Sequence, residues 1–276
     1  MKSLLSLSGI NFSYSDKNKK SINGNNFELT NISLDIGESD FISIIGKNGS
    51  GKSTLVKLIA KILSGYSGNI FYQNTEIQNI DRKEYSRNIS YLPQSTAEFN
   101  GDMVVREFLL LGRYAHKQFT DFRFSEEDKN IVTESIKETS ITELADKRFN
   151  ELSGGEKQKV LITLSLVQLD ITKSLKGKLL IIDEPLTYLD VRYQFEIFNI
   201  LKRLKEKNLT IIIIIHDLNL ALRFSSKTIL INNGMIVKYS DTGNVITEKI
   251  LKEHFLIESK ILNIDKNYFI NYLPAI

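Results

Sequence analysis

The sequence predicts a mixed α/β chain: a parallel sheet wrapped by helices, antiparallel strands before it, and a helical segment inserted within it. Three observations carry that expectation. Short apolar runs rich in β-branched residues recur at 41–45, 179–182 and 211–215, each the length of a buried strand. Helical spacing of apolar residues separates them. Residues 27–36 instead alternate apolar and polar, as a strand with one face in water does.

Taken in order, residues 4–45 read as strands with turns, and Gly37-Glu38 turns the chain into the buried run at 41–45. Leu55, Leu58, Ile59 and Ile62 recur at helical spacing and predict a helix over 54–63. Residues 100–169 hold few β-branched runs and several helical patterns, 104–111 among them, and read as a mostly helical insertion. Within it, Ser125-Glu126-Glu127-Asp128 has the composition of a helix cap and first turn. Residues 178–184 and 209–216 read as two buried parallel strands. Asn233-Gly234, set between 228–231 and 235–237, is a hairpin signal. Beyond Asp241, residues 248–253 suggest a short helix and 267–276 a terminal strand or frayed tail. No chemistry is visible there, and His254 is expected to face solvent.

Composition bounds the function. A chain of 276 residues, 42% apolar and 25% charged, can bury a large core in one large or two modest domains. A net charge of +3 points to no nucleic-acid partner, and the cluster Lys17, Lys19 and Lys20 reads as a solvated loop. The absence of cysteine removes disulfide, zinc–thiolate and thiol chemistry. The apolar runs fall far short of the ~20 residues a membrane helix needs. The first residues lack the long apolar stretch of a signal peptide, so the chain is expected to stay where it is made, with ATP at hand.

Residues 46–53, Gly-Lys-Asn-Gly-Ser-Gly-Lys-Ser, fit the phosphate-binding pattern G-x-x-x-x-G-K-[ST] at every fixed position. They lie between a strand and a helix, the context that chemistry needs. Glycines 46, 49 and 51 let the backbone turn tightly and aim its N–H groups at phosphate oxygens. The following helix adds the positive end of its dipole. Lys52 can reach the β- and γ-phosphates, and the Ser53 hydroxyl can ligate Mg²⁺. Lys47, Asn48, Ser50 and Thr54 complete the expected ATP cradle. Asp183 and Glu184 close an apolar strand. Asp183 is placed to hold Mg²⁺, directly or through water, and Glu184 to polarise an attacking water. His216 ends another apolar strand at the sheet edge where ligands bind in such folds, and is expected to contact the γ-phosphate.

Leu152-Ser153-Gly154-Gly155-Glu156-Lys157-Gln158 opens a helix over 160–169, and Ser-Gly-Gly before a helix is an anion site. Together with the phosphate loop, this stretch resembles the signature motif of the ATP-binding-cassette (ABC) ATPases. Residues 181–184 resemble that family's second nucleotide motif. Gln94, in Tyr91-Leu92-Pro93-Gln94, matches its glutamine loop, a Mg²⁺ ligand and catalytic residue. Leu189-Asp190 matches the D-loop, His216 the histidine switch, and Tyr14 the aromatic that stacks on adenine. These motifs fall in family order over residues 8–240. Glu156 in place of the commoner Gln, Leu186 after Glu184-Pro185, and Lys47 where Pro is frequent depart from the pattern without removing a catalytic group. Residues 104–107, 111–114, 188–194, 216–221 and 245–247 resemble the importers for ferric siderophores, haem and vitamin B12. Importers of metal ions share much of this build.

The resemblance implies a single ABC ATPase domain with a P-loop NTPase core, a RecA-like parallel sheet. The core and an N-terminal antiparallel β subdomain would take residues 1–94 and 172–240, a helical subdomain 95–171, and a C-terminal extension 241–276. It implies a head-to-tail homodimer sandwiching ATP. Each site would combine Lys52, Ser53, Gln94, Asp183, Glu184 and His216 of one copy with Ser153, Gly154 and Gly155 of the other. It also implies permease subunits docked near Gln94 and the helical insertion, an external substrate-binding protein acting indirectly, and a place on the cytoplasmic face of the cell membrane. Phe99 and Arg106 are candidates for that docking groove. Single-cassette length and the lack of sustained heptads disfavour a DNA-repair or translation ATPase. Glu184 disfavours a regulatory subunit without turnover, and the signature motif disfavours a small-molecule kinase.

Overall fold

The computed structural model describes residues 3–14, 28–94, 102–118, 123–185, 189–265 and 267–274. Lys17, Lys19, Lys20, Phe99, Leu186 and Tyr188 lie outside them. In chain order the elements begin with β1 (Ser3–Ser13), β2 (Glu28–Gly37), β3 (Phe41–Ile45) and α1 (Lys52–Ile59). Then come β4 (Ser67–Tyr72), β5 (Thr75–Glu76), α2 (Arg82–Asn88) and β6 (Ile89–Leu92). The helical stretch holds α3 (Val105–Leu110), α4 (Glu126–Thr139) and α5 (Gly154–Leu169). β7 (Leu179–Asp183), α6 (Val191–Glu206), β8 (Thr210–Ile214) and α7 (Leu218–Phe224) alternate after it. The chain closes with β9 (Lys227–Asn232), β10 (Met235–Asp241), α8 (Thr242–Val245), α9 (Glu248–Ile250), β11 (Ser259–Ile264) and β12 (Asn267–Tyr272).

Two compact units result, one of residues 1–79 and 212–276, the other of residues 80–211. In the first, β3 is buried at every position and pairs in parallel with β9, while β9 and β10 form an antiparallel hairpin. Strand order there runs β10-β9-β3-β8. A separate antiparallel sheet has the order β2-β1-β4-β5; along β1 Leu5 and Leu7 alternate inward, and after a register shift Ile10 and Phe12 do so again. The hairpin turn takes positive φ at both Asn233 (47°) and Gly234 (74°), as its Asn-Gly sequence predicts. The C-terminal segment forms a two-stranded sheet, β11-β12, resting on α7. With α8 and α9 it lines a hollow of about 570 Å³ beside Leu222, Ile246, Glu248, Ile261 and Tyr268.

In the second unit β6 and β7 pair in parallel, and α5 packs against α2, α3, α4 and β6. The insertion is helical as expected. The cap at Ser125 is a full capping box, in which Ser125 and Asp128 each accept from the other's backbone N–H. Asp128 also accepts from Arg113 Nε at 2.9 Å, and both side chains are buried. Burial works to raise the Asp128 carboxyl, but the Arg113 and Ser125 hydrogen bonds outweigh it and hold the group down at about 2.

Three boundaries differ from the sequence expectation. α1 stops at Ile59 rather than 63, because Lys61 adopts the left-handed conformation (φ 57°) and Ile62 turns outward. α5 begins at Gly154, six residues before the apolar periodicity starts at Val160, because Ser153 supplies its cap. The short helix expected over 248–253 is α9 followed by a π-helical turn, Leu251–Phe255, and His254 in it is half-buried rather than fully solvated.

Candidate functional site

The phosphate loop belongs to the first unit. β3 delivers the chain to Gly46, whose φ is 152°. A Cβ there would lie 2.2 Å from Ile231 O and 2.8 Å from Ser50 Oγ, so only glycine fits against β9. Ser50 N–H donates to Lys47 O at 3.1 Å and closes the turn; Lys47, Asn48 and Gly49 are exposed on its outer side. Gly234 N–H donates to Ser50 O at 3.0 Å, so the predicted hairpin turn also braces the loop. The Gly234 brace is not visible in sequence, since it depends on which strand lies beside β3.

Gly51 caps α1 in the left-handed conformation (φ 111°), with no side chain capping the helix N-terminus. Lys52 is buried, and its Nζ donates to Gly46 O at 2.9 Å and Lys47 O at 3.1 Å. The loop thus folds around its own ammonium. Ser50 Oγ is buried with no hydrogen-bond partner. An orphaned hydroxyl, a buried ammonium and an uncapped helix N-terminus suit a bound polyphosphate. Ser53 is half-exposed on the first turn of α1. Tyr14 lies beside the loop: its hydroxyl is 3.4 Å from Thr54 Oγ1 and its ring packs edge-on against Phe12. Half of Tyr14 remains exposed (49%), which leaves ring surface for stacking. Ile215 N–H donates to Ile44 O at 3.3 Å, so β8 ends level with β3 and delivers exposed His216 at the edge where Gly46 begins.

The second unit holds the carboxylates. Asp183, 2% exposed, ends β7 and accepts from Tyr91 Oη at 3.1 Å. In the sequence Tyr91 stands only as part of the glutamine-loop motif; its place one strand over from Asp183 gives it a carboxylate contact that spacing alone does not show. Glu184 follows with φ 49°, a strained conformation for a non-glycine residue. Its Oε2 accepts from Gln94 Nε2 at 2.7 Å. β6 and β7 run in parallel register, Leu92 opposite Ile182, and this carries both side chains past the same strand ends.

The signature turn and the D-loop residue share that unit. Ser153 caps α5, with Glu156 N–H donating to Ser153 Oγ at 3.4 Å and Ser153 N–H donating to Glu156 Oε2 at 2.8 Å. The Ser153 backbone hydrogen bond is the main reason the Glu156 carboxyl sits below its ordinary value. Asp190 caps α6, accepting from Tyr193 N–H at 2.9 Å. Arg106 pairs with Asp146 at 3.2 Å on the helical insertion. Among the described residues no cluster of three or more His, Cys, Asp or Glu side chains forms a metal site. The oxygen donors Ser53, Asp183 and Gln94 are of the hard type that Mg²⁺ takes. No helix among the described residues is long and apolar enough to cross a membrane.

Residues 29–187 match the family model described as ABC transporter. The iron(3+)-hydroxamate import ATP-binding protein FhuC of Bacillus subtilis (strain 168) is 34% identical, over 87% of this chain and 86% of its own length. The ferric enterobactin transport ATP-binding protein FepC of Escherichia coli (strain K12) is 33% identical, over 84% of this chain and 83% of its own. Among solved structures, CbiO1 from Clostridium perfringens, part of the ABC transporter complex CbiONQ, superimposes with a TM-score of 0.74. It is 26% identical, with 91% of this chain and 93% of that one covered. The phosphate loop, the paired acids and the family match converge: the chain belongs to the ABC transporter family, as an ATP-hydrolysing subunit.

Proposed function

We propose that this subunit energises import of an iron complex, a ferric siderophore or haem, or of cobalamin. The observation that carries the reading is the likeness, over most of both chains, to subunits named for import of iron(3+)-hydroxamate and ferric enterobactin. It agrees with the subfamily residues in the sequence, 188–194 and 216–221 among them.

In this reading ATP lies along residues 46–54, its adenine on Tyr14 and its phosphates on the loop N–H groups and Lys52. Ser53, Asp183 and Gln94 would hold Mg²⁺, which would neutralise charge on the β- and γ-phosphates. Glu184 takes the proton of the attacking water, Gln94 orients that carboxylate, and His216 contacts the γ-phosphate. A second copy adds Ser153, Gly154, Gly155 and Asp190, so ATP binds the closed pair better than the open one and drives closure. Hydrolysis removes the γ-phosphate contacts and reopens it.

The domain division is that given by the motifs: core with β subdomain over 1–94 and 172–240, helical subdomain over 95–171, extension over 241–276. The partners are permease subunits at the cytoplasmic face of a membrane, reached through the surface around Gln94 and Arg106, with an external binding protein beyond them. Substrate uptake in iron-starved cells lacking this gene tests the reading, with ferric siderophores, haem and cobalamin as the panel. Loss of uptake of one of these, restored by the wild-type gene and not by Glu184→Gln, is expected. Unchanged uptake of all would overturn the iron-complex reading.

A further inference from the structure

Gly155, in the first turn of α5, is buried under the ring of Tyr193 from α6. A Cβ at 155 would meet Tyr193 Cγ at 2.4 Å, Cδ1 at 2.6 Å and Cδ2 at 2.7 Å. These are the root atoms of the ring, which cannot swing aside as the tip of a flexible chain can. Gly154 differs: its nearest neighbour, Leu189 Cδ2, would lie at an ordinary contact distance of 3.8 Å. Packing within the subunit therefore demands glycine at 155 and not at 154.

Lys159 faces the ring, and Asp190 holds its backbone. Tyr193 N–H donates to Asp190 Oδ1 at 2.9 Å, tying the ring's own backbone to the residue that caps α6. Lys159, one helical turn beyond Gly155, lies 5.1 Å from the ring centroid and pairs with Glu196, one turn beyond Tyr193. Glu196 also accepts from Arg192 Nε at 2.9 Å. The Lys159 hydrogen bond, then that from Arg192, keeps the Glu196 carboxyl below its ordinary value, so the carboxylate stays ionised at neutral pH.

We propose that Tyr193 is a positioning residue that locks the signature turn, Ser153 to Gly155, to the Asp190 turn, so that the two meet a second copy as one rigid block. This rests on the reading that both turns act on ATP held by that copy. Losing the ring frees the signature turn without touching residues 46–54, so turnover falls while binding of ATP to a single subunit does not.

The test uses the full chain. Tyr193→Ala is expected to lower ATP turnover at saturating ATP at least tenfold and to leave the Kd for ATP of the dilute subunit within twofold. Tyr193→Phe, which keeps the ring, is expected to match wild type in both. Gly155→Ala is expected to lower the melting temperature in the wild-type background and to cost nothing further in the Tyr193→Ala background. Wild-type turnover in Tyr193→Ala, loss of turnover in Tyr193→Phe, or equal cost of Gly155→Ala in both backgrounds would overturn the proposal. A wild-type chain that hydrolyses no ATP would instead overturn the functional reading, and the melting-temperature cycle would still decide whether Tyr193 seats the glycine.

Discussion

Gln94 Nε2 donates to Glu184 Oε2 at 2.7 Å, so the glutamine-loop side chain grips the carboxylate proposed as general base. Glu184 meanwhile sits at φ 49°, and Asp183 beside it is held separately by Tyr91. The two acids at the end of β7 thus have different anchors, and their roles separate by mutation. Glu184→Gln keeps the size and a hydrogen-bonding oxygen but removes the base. Turnover is expected to fall at least about 10²-fold, with ATP affinity retained. Gln94→Ala releases the carboxylate without removing it and should cost less, about tenfold in turnover. Steady-state hydrolysis and equilibrium nucleotide binding on the same preparations check both, and equal losses in the two variants would count against separate roles.

Lys52 offers a different separation. Its ammonium is buried and satisfied by Gly46 O and Lys47 O, so it stabilises the loop as well as awaiting phosphate. Lys52→Met keeps the stem and removes the charge. The expected result is at least about a 10²-fold loss in ATP affinity, equivalent to about 2.7 kcal/mol, seen by nucleotide titration. Ionic strength gives a second handle: attraction between ammonium and phosphate weakens with salt. Wild-type affinity should therefore fall more steeply with salt than that of Lys52→Met.

Gly46→Ala tests the fold of the cradle rather than its charge. The new methyl would lie 2.2 Å from Ile231 O, inside any allowed contact, and φ of 152° is unfavourable for alanine even without the clash. A loss of at least about 2 kcal/mol in unfolding free energy is expected, measured by urea denaturation without nucleotide. Gly49→Ala is the control. Its φ of 76° is also positive, but open space surrounds its Cβ position, so it should lose only the conformational part.

How much of this was legible in the sequence follows from which interactions are local. The buried strands, the Asn-Gly turn, the Ser125 cap and the Lys52–Ser53 loop were readable because a few adjacent residues determine each. The motif residues were also readable as types: Asp183 does end a buried strand, and Glu184 does stand one residue past it. What spacing could not give was contact between distant segments. Tyr91 reaching Asp183, Gly234 bracing Ser50, and Tyr193 covering Gly155 all depend on which elements become neighbours. The end of α1 departs from its apolar spacing for a related reason. Ile62 continues the helical spacing, but a left-handed Lys61, with Nζ donating to Ile77 O at 2.6 Å, ends the helix first.

His116 supplies a pH dependence in the helical insertion. Its Nε2 lies 2.7 Å from Gln168 O, which can only accept, so the neutral ring carries its proton on Nε2. Burial is the main cause that pushes the His116 pKa below 6.5; the Gln168 hydrogen bond and Asp170 work the other way, while Arg113 and Arg87 add to the lowering. A histidine with a depressed folded pKa binds protons more readily when unfolded. Its contribution is therefore fully favourable above pH 6.5 and declines as pH falls from that value toward the folded pKa. Wild type should lose melting temperature between pH 7 and pH 5.5. His116→Gln, which can still donate to Gln168 O, should lose less over the same interval. Parallel curves for the two proteins, from calorimetry in buffers of matched ionic strength, would mean that His116 keeps its ordinary titration in the folded chain.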